Sequence, residues 1–494
     1  MDRLRRCSRV AACWALLGGL LLLAPLPVPA EGLRNDTPLL PASGPGAVVS
    51  LRTLLDTVAL GSTATYERLA LQAGFAVQTF YLQRDFAPAW THPDSGWNHS
   101  ATRALALLRR APAFGLHPET YAWPLLQSLP DSLQHASSVA GSLSGFELRL
   151  TDALLRYAAH LRYGRLQPFT TSPATLSEPA ARQSIEQLTQ ALAAAEFETA
   201  FLACQPTGTS YQALQQAWRR TLPPDSVLMS SAQPAYGNAA DFRRVALNLE
   251  RLRWDIALPD SETYILVNIP SYSLHIIEKG RVVRTHRVVV GKPDTPTPVL
   301  SSRLTVFMTA PEWRVPHSIA VREILPELQD DPGFLADNKY RLFDARNRQV
   351  NPWRVRWSRV TPQTFGYTIR QEPGRHNALG NLVFYFANQH AIYLHDTPAR
   401  ALFREPHRAR SHGCIRVEKP LELAAYLLER EHQQAALPDI RRNIATHTTC
   451  RYDLAQGLPI RIRYTTCEVQ NSRLRFHPDI YCLDEDLATV LASP

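Results

Sequence analysis

The sequence lacks the common metal-site spacings. It has no CxxC, no HExxH and no HxE…PCxxC, so the histidines gathered near Cys414 (His390, His395, His407 and His412) do not read as zinc ligands, and neither metal nor cofactor is expected. No Lys/Arg-rich run with interleaved aromatics occurs, which removes nucleic acid from the expected partners. No internal repeat is visible, so solenoid and propeller architectures are set aside. Beyond the first 30 residues no segment is apolar enough to span a bilayer, which takes about 20 apolar residues.

What is present starts with an export leader. Arg3, Arg5, Arg6 and Arg9 precede the apolar run "AACWALLGGLLLLAPL" (11–26), and "PVPA" (27–30) ends on small residues, so residues 1–30 read as a signal peptide cleaved after Ala30. The apolar run follows Cys13 rather than preceding it, which argues against lipidation there. The expected location is the periplasm, with no membrane span after cleavage. Net charge is +9, and removal of four arginines with Asp2 lowers it by three, to +6. A mild positive excess suits an anionic envelope polymer and equally a simple solubilising surface.

Five of the seven cysteines remain after the leader: Cys204, Cys414, Cys450, Cys467 and Cys482. An oxidising compartment favours pairing, and an odd number leaves at least one over. If that one is Cys414, the other four allow three pairings. Three of those four lie in the last 45 residues, which favours a stapled C-terminal region.

At 494 residues the chain holds several domains. Residues 31–50 are rich in Pro, Gly and Ser and read as a linker. Residues 51–258 read as a helical scaffold. "FELRLTDALLRYAAHL" (146–161) sets Phe146, Leu150, Leu154, Tyr157 and Leu161 on one helical face, and 101–111, 184–203 and 241–254 behave alike. From 259 the period changes to short β-branched runs at 263–269, 273–280, 281–291 and 303–309. A helix-like stretch opens an insertion at 311–365 that reads as a lid. Strands resume at 365–371, 382–388 and 391–395, and "PLELAAYLLER" (420–430) is a helix. This β-rich domain is expected to end at 445. A C-terminal extension, 446–494, is expected to form a hairpin from 459–469 and 473–481. The fold class is thus multidomain α+β: helical scaffold, mainly-β domain with an inserted lid, and C-terminal β-hairpin.

The chemistry centres on "SHGCIRV" (411–417). Taken alone, Cys414 reads as half a disulfide, a metal ligand, a buried hydrophobe or a nucleophile. A nucleophile needs a base, an orienting partner and oxyanion donors. His395 ends the run "AIYLH", 19 residues before Cys414. Gly413 permits a tight turn that would aim the Gly413 and Cys414 amides at one point. Arg416 adds a fixed charge able to lower the thiol pKa or hold a carboxylate.

"YLHDTP…SHGCIRV", with fifteen residues between His395 and Ser411, resembles the signature of the L,D-transpeptidases, the YkuD-type catalytic domain. "QEPGRHNALGNLVF" (371–384), "NLERLRW" (248–254), "FYLQRDFAPAW" (80–90) and "RFHPDIY" (475–481) resemble the long periplasmic branch of that family. The resemblance implies a mainly-β catalytic domain and a cysteine acyltransferase acting on peptidoglycan. Cys414 would attack the carbonyl between the third and fourth stem-peptide residues, with His395 as its base. Gly413, Arg416, Asp396, His412 and Ser411 would support them, Asp396 through its backbone carbonyl. Tyr393, Trp313 and Arg314 are candidate substrate contacts. The partners implied are two stem peptides, an acyl donor and an amine acceptor joined by a 3→3 cross-link. Water or a lipoprotein lysine as acceptor, and a wall-binding scaffold with a silent site, are the alternatives. Carbapenems are implied as acylating agents. One departure stands out: residues 205–240 are too short and irregular for the three-helix glycan-binding module common in that branch.

Overall fold

The computed structural model describes residues 51–59, 69, 71–92, 96–132, 143–166, 176–224, 236–255 and 262–492. The leader and linker lie outside them. Contacts divide the chain into two units. The first holds residues up to 109 with 118–159 and 170–201; the second holds 110–117, 160–169 and 202–494.

The first unit is helical apart from a small pair of strands, β1 (Thr91–His92) with β2 (Gly96–Trp97). Its helices include Gly74–Gln83, His99–Arg109, Glu178–Ala193, Phe197–Leu202 and most of Leu143–Tyr163. Phe146, Leu150, Leu154, Tyr157 and Leu161 are all fully buried, as their spacing predicts. The run 184–203 is two helices rather than one: the chain leaves the first at Ala194, which is extended (φ −83°, ψ 146°). Glu147 is buried too, and its carboxylate accepts Tyr81 Oη at 2.9 Å, Thr91 Oγ1 at 2.8 Å and Trp90 N at 3.1 Å. A buried carboxylate is tolerated because its oxygens are so fully satisfied.

The second unit is built on strands. These are β3 (Tyr264–Asn268), β4 (Ser273–Glu278), β5 (Arg281–Gly291), β6 (Leu300–Thr309), β11 (Leu382–Phe386), β12 (Leu394–His395), β13 (Ala409–Ser411), β14 (Ile415–Val417) and β15 (Cys450–Arg463). Their order is β13-β5-β14-β12-β11-β6-β15-β3-β4, and β4 also pairs β5, so the pairing runs round in a ring. Alternation sorts the side chains: Ile265, Val267, Leu274, Ile276, Phe384, Leu394, Ile415, Ile460 and Ile462 enter one core. Helix Pro420–Arg430 closes it with Leu423, Ala424, Leu427 and Leu428.

Strand β15 corrects one boundary. The run 459–463 is not half of a terminal hairpin. It belongs to a 14-residue strand lying between β6 and β3, so the sheet does not end at 445. The terminal hairpin is shorter: β16 (Cys467–Gln470) pairs β17 (Arg473–Phe476). It packs on helices Thr209–Arg219 and Ala239–Arg253, burying Cys467 among Tyr211, Trp218 and Phe242. Asn248 ties these parts through Thr466, donating to its hydroxyl at 2.8 Å and accepting its N–H at 2.8 Å. The described residues of 202–224 and 236–255 therefore belong to the unit that holds the sheet.

The insertion also runs longer than 365. Strands β7 (Trp313–Arg314), β8 (Tyr340–Phe343), β9 (Gln349–Val350) and β10 (Thr368–Gln371) form a sheet of their own in the order β7-β10-β8-β9. The 368–371 segment is thus lid, not main sheet, because Ile369 belongs to the separate lid core of Leu325, Leu328, Leu342 and Trp357. The helix-like stretch begins only at His317 and contains a π turn, Ala320–Ile324.

The stapled C-terminus is corrected as well. None of the five described cysteines is in a disulfide. Cys204 and Cys467 serve as buried apolar groups, and burial pushes both thiols up to about 12. No described helix is long and apolar enough to cross a membrane.

Candidate active site

Two neighbouring parallel strands build the site. In β12 and β14, Leu394 pairs Ile415 and His395 pairs Arg416. Since Leu394 and Ile415 fill the core, the residues flanking them, Tyr393, His395, Cys414 and Arg416, share the opposite face. Tyr393 lies opposite Cys414, with Ile415 N donating to Tyr393 O at 3.1 Å. His395 lies opposite Arg416, diagonal to the sulfur.

The turn before Cys414 is held from several sides. Gly413 has φ +113°, a conformation closed to side-chain-bearing residues. Thr297 Oγ1 donates to Gly413 O at 2.7 Å, and Lys292 N donates to Ser411 O at 2.9 Å. Ser411 Oγ donates to Cys414 O at 2.6 Å and accepts Gly413 N at 3.2 Å. That last bond is a correction, because the Gly413 amide is engaged by Ser411 rather than turned toward a substrate oxygen. Tyr481 braces the same turn: its hydroxyl donates to Gly291 O at 2.7 Å and accepts Thr297 N at 3.2 Å.

His395 is only 5% exposed. Its Nδ1 lies 2.6 Å from Asp396 O, so Nδ1 carries the proton and Nε2 keeps the lone pair. Burial, then the Arg416 charge, push its pKa down to about 3, against the upward pull of the Asp396 carbonyl. The Asp396 carboxyl faces away, accepting Asn381 N at 2.9 Å. Gly380 (φ +60°) permits this approach, since a β-carbon there would meet the Asp396 side chain at 2.6 Å.

The half-buried Cys414 sulfur lies 3.7 Å from Ala391 O. Burial pushes the thiol up, while the Tyr393 N–H, the Tyr393 hydroxyl and Arg416 draw it back. Arg416 faces the same space, and its buried Nε has no hydrogen-bond partner among the described residues. Near neutral pH the site holds a neutral thiol and a neutral imidazole beside a permanent cation.

Aromatic rings carry the site outward to the lid. Tyr393 packs on His395 with centroids 5.7 Å apart and on Tyr385 at 5.6 Å. Against the larger upward push of burial, the Trp313 side chain draws the Tyr393 hydroxyl pKa down, and its ring lies 6.1 Å from the Tyr340 ring. His412 Nε2 meets Glu323 Oε1 of the lid. Arg314 does not join them: it is 70% exposed and pairs with Glu312. His390 and His407 are exposed. Thr297, Tyr385, Tyr481 and Glu323 had no signal in local spacing, since each reaches the site from another element. A cavity of about 510 Å³ lies on other strands, lined by Tyr264, His275 and Arg461 of β3, β4 and β15, and contains none of these residues.

Burying a neutral imidazole has a measurable consequence. Between pH 6.5 and about 3 the unfolded chain binds a proton that folded His395 refuses, so stability falls as pH falls through that window. His395→Gln removes the contribution, at most about 1.4 kcal/mol per pH unit. Denaturant midpoints at pH 7 and 4.5 should drop more in wild type than in the variant. Equal drops would mean that the imidazole is not held neutral by burial.

Residues 262–439 match the family model of the L,D-transpeptidase catalytic domain, and residues 76–217 match that of a scaffold domain. A Haemophilus influenzae protein named "Putative L,D-transpeptidase" is 34% identical over 247 residues, which are 50% of this chain and 49% of that protein. The chain thus spans about half the length of this relative.

Proposed function

We propose that this chain, which carries an L,D-transpeptidase catalytic domain at residues 262–439, is a periplasmic enzyme forming 3→3 cross-links between peptidoglycan stem peptides. The observation that supports this best is one sheet face presenting Cys414, Tyr393, His395 and Arg416 together. In this reading the thiol turns from Ala391 O to His395 Nε2, which takes its proton. Sulfur attacks the carbonyl between the third and fourth stem residues. The Cys414 amide and the Tyr393 hydroxyl supply the oxyanion donors. Arg416 holds the donor carboxylate and favours the thiolate. The proton on His395 passes to the departing D-alanine amine, leaving a thioester. A side-chain amine of a second stem then displaces the sulfur. Thioester storage suits a compartment without nucleotides.

Purified protein incubated with stem tetrapeptide is expected to release D-alanine and yield a 3→3 dimer by mass spectrometry. Tripeptide without dimer would favour water as acceptor. Absence of D-alanine release would favour the silent wall-binding scaffold and defeat the proposal.

A further inference from the structure

The acceptor amine arrives as a cation, so its subsite needs a negative charge near the thioester. The site described above offers only the cation Arg416. Two carboxylates of the lid adjoin residues of the site: Glu312 precedes Trp313, and Glu323 meets His412. Glu312 is committed to Arg314 at 3.2 Å and Arg370 at 3.8 Å. Glu323 has no Lys or Arg partner among the described residues and hydrogen-bonds His412, two residues before the nucleophile.

The Glu323–His412 contact is a poor latch. Their side chains are 51% and 31% exposed, and exposed pairs of this kind contribute about 0–1 kcal/mol. Its position is more informative. Glu323 lies in the π turn Ala320–Ile324, a distortion that recurs at functional sites. Burial and then its charge raise the Tyr340 hydroxyl pKa; the Tyr340 ring neighbours Trp313, and Trp313 in turn draws down the Tyr393 hydroxyl, whose ring packs on His395. The rim of the site therefore runs from Glu323 and His412 through Tyr340, Trp313 and Tyr393 back to Cys414.

We infer that Glu323, positioned by His412, is the acceptor subsite: its carboxylate binds the incoming ammonium of the second stem peptide. This rests on the transpeptidase reading above. The ammonium gives one proton to Glu323, and the freed nitrogen attacks the thioester carbonyl. A C–N bond forms, the C–S bond breaks, and the second amine proton returns through His395 to the Cys414 thiolate. Arg416 on the donor side and Glu323 on the acceptor side thus match the opposite charges of the two substrates.

The test uses the purified full chain with stem tetrapeptide as donor and a tripeptide bearing a free side-chain amine as acceptor. Glu323→Gln should lower the ratio of dimer to hydrolysed tripeptide by about 10-fold or more, the scale of losing one charged hydrogen bond. The KM for the amine should rise while carbapenem acylation of Cys414 proceeds. Glu323→Asp should recover part of the ratio, and Glu327→Gln on the exposed lid surface should match wild type. An unchanged ratio in Glu323→Gln overturns the inference. So does a parallel loss of acylation and transfer, which would make Glu323 a donor or folding residue. Failure of the parent reading looks different: wild type would release no D-alanine and form no adduct, and the inference falls with it.

Discussion

His395→Gln is expected to slow acylation by about 10³-fold, within the range set by loss of a positioned general base, while the fold stays intact. Glutamine can still donate toward Asp396 O, which the imidazole approaches at 2.6 Å, but it has no basic lone pair for the thiol. The loss should be large because Cys414 is not ionised in advance. Burial raises the thiol, and the pull of Tyr393 and Arg416 works against it. The base therefore acts during attack, on a neutral thiol. The pH profile carries the sharper signature. With His395 held down to about 3, the acidic limb of kcat/KM should lie well below pH 6.5, the ordinary imidazole value. A limb at 6.5 would mean that the base is solvated or is another residue.

The parts of this arrangement visible in the sequence are the local ones. Glycine at 413 announced a turn, and the turn has φ +113°. The period of 146–161 announced a buried helix, and helix Pro420–Arg430 begins and ends where its apolar spacing does. The pairing of His395 with Arg416 is different, since register between strands 20 residues apart is set by the whole sheet. The long strand β15 was misread for the same reason. Its charged residues alternate with Ile460 and Ile462, a pattern equally suited to an exposed hairpin and to a sheet interior strand with one wet face. The lid boundary failed because 365–371 has ordinary strand composition, and only Ile369 packing into the lid core decides which sheet it joins. The expected disulfides failed because Cys204 and Cys467 are used as apolar core groups. Glu323 and Tyr481 lie 91 residues before and 67 residues after Cys414, so no spacing rule could have drawn them to it.

Cys414 carries the largest expected effect. Cys414→Ser should lower turnover by about 10⁵-fold, as loss of an intrinsically strong nucleophile does, because a hydroxyl on the same turn has neither the polarisability nor the acidity of the thiol. Cys414→Ala should form no acyl-enzyme at all. The other cysteines do not substitute for it, since the thiols of Cys204 and Cys467 are raised to about 12 by burial. Intact mass after exposure to a carbapenem, followed by tryptic mapping, tests this directly. One adduct is predicted on wild type, confined to the peptide SHGCIR at 411–416, and none on Cys414→Ala. An adduct that persists in Cys414→Ala, or that maps to Cys204, Cys450, Cys467 or Cys482, would contradict the account.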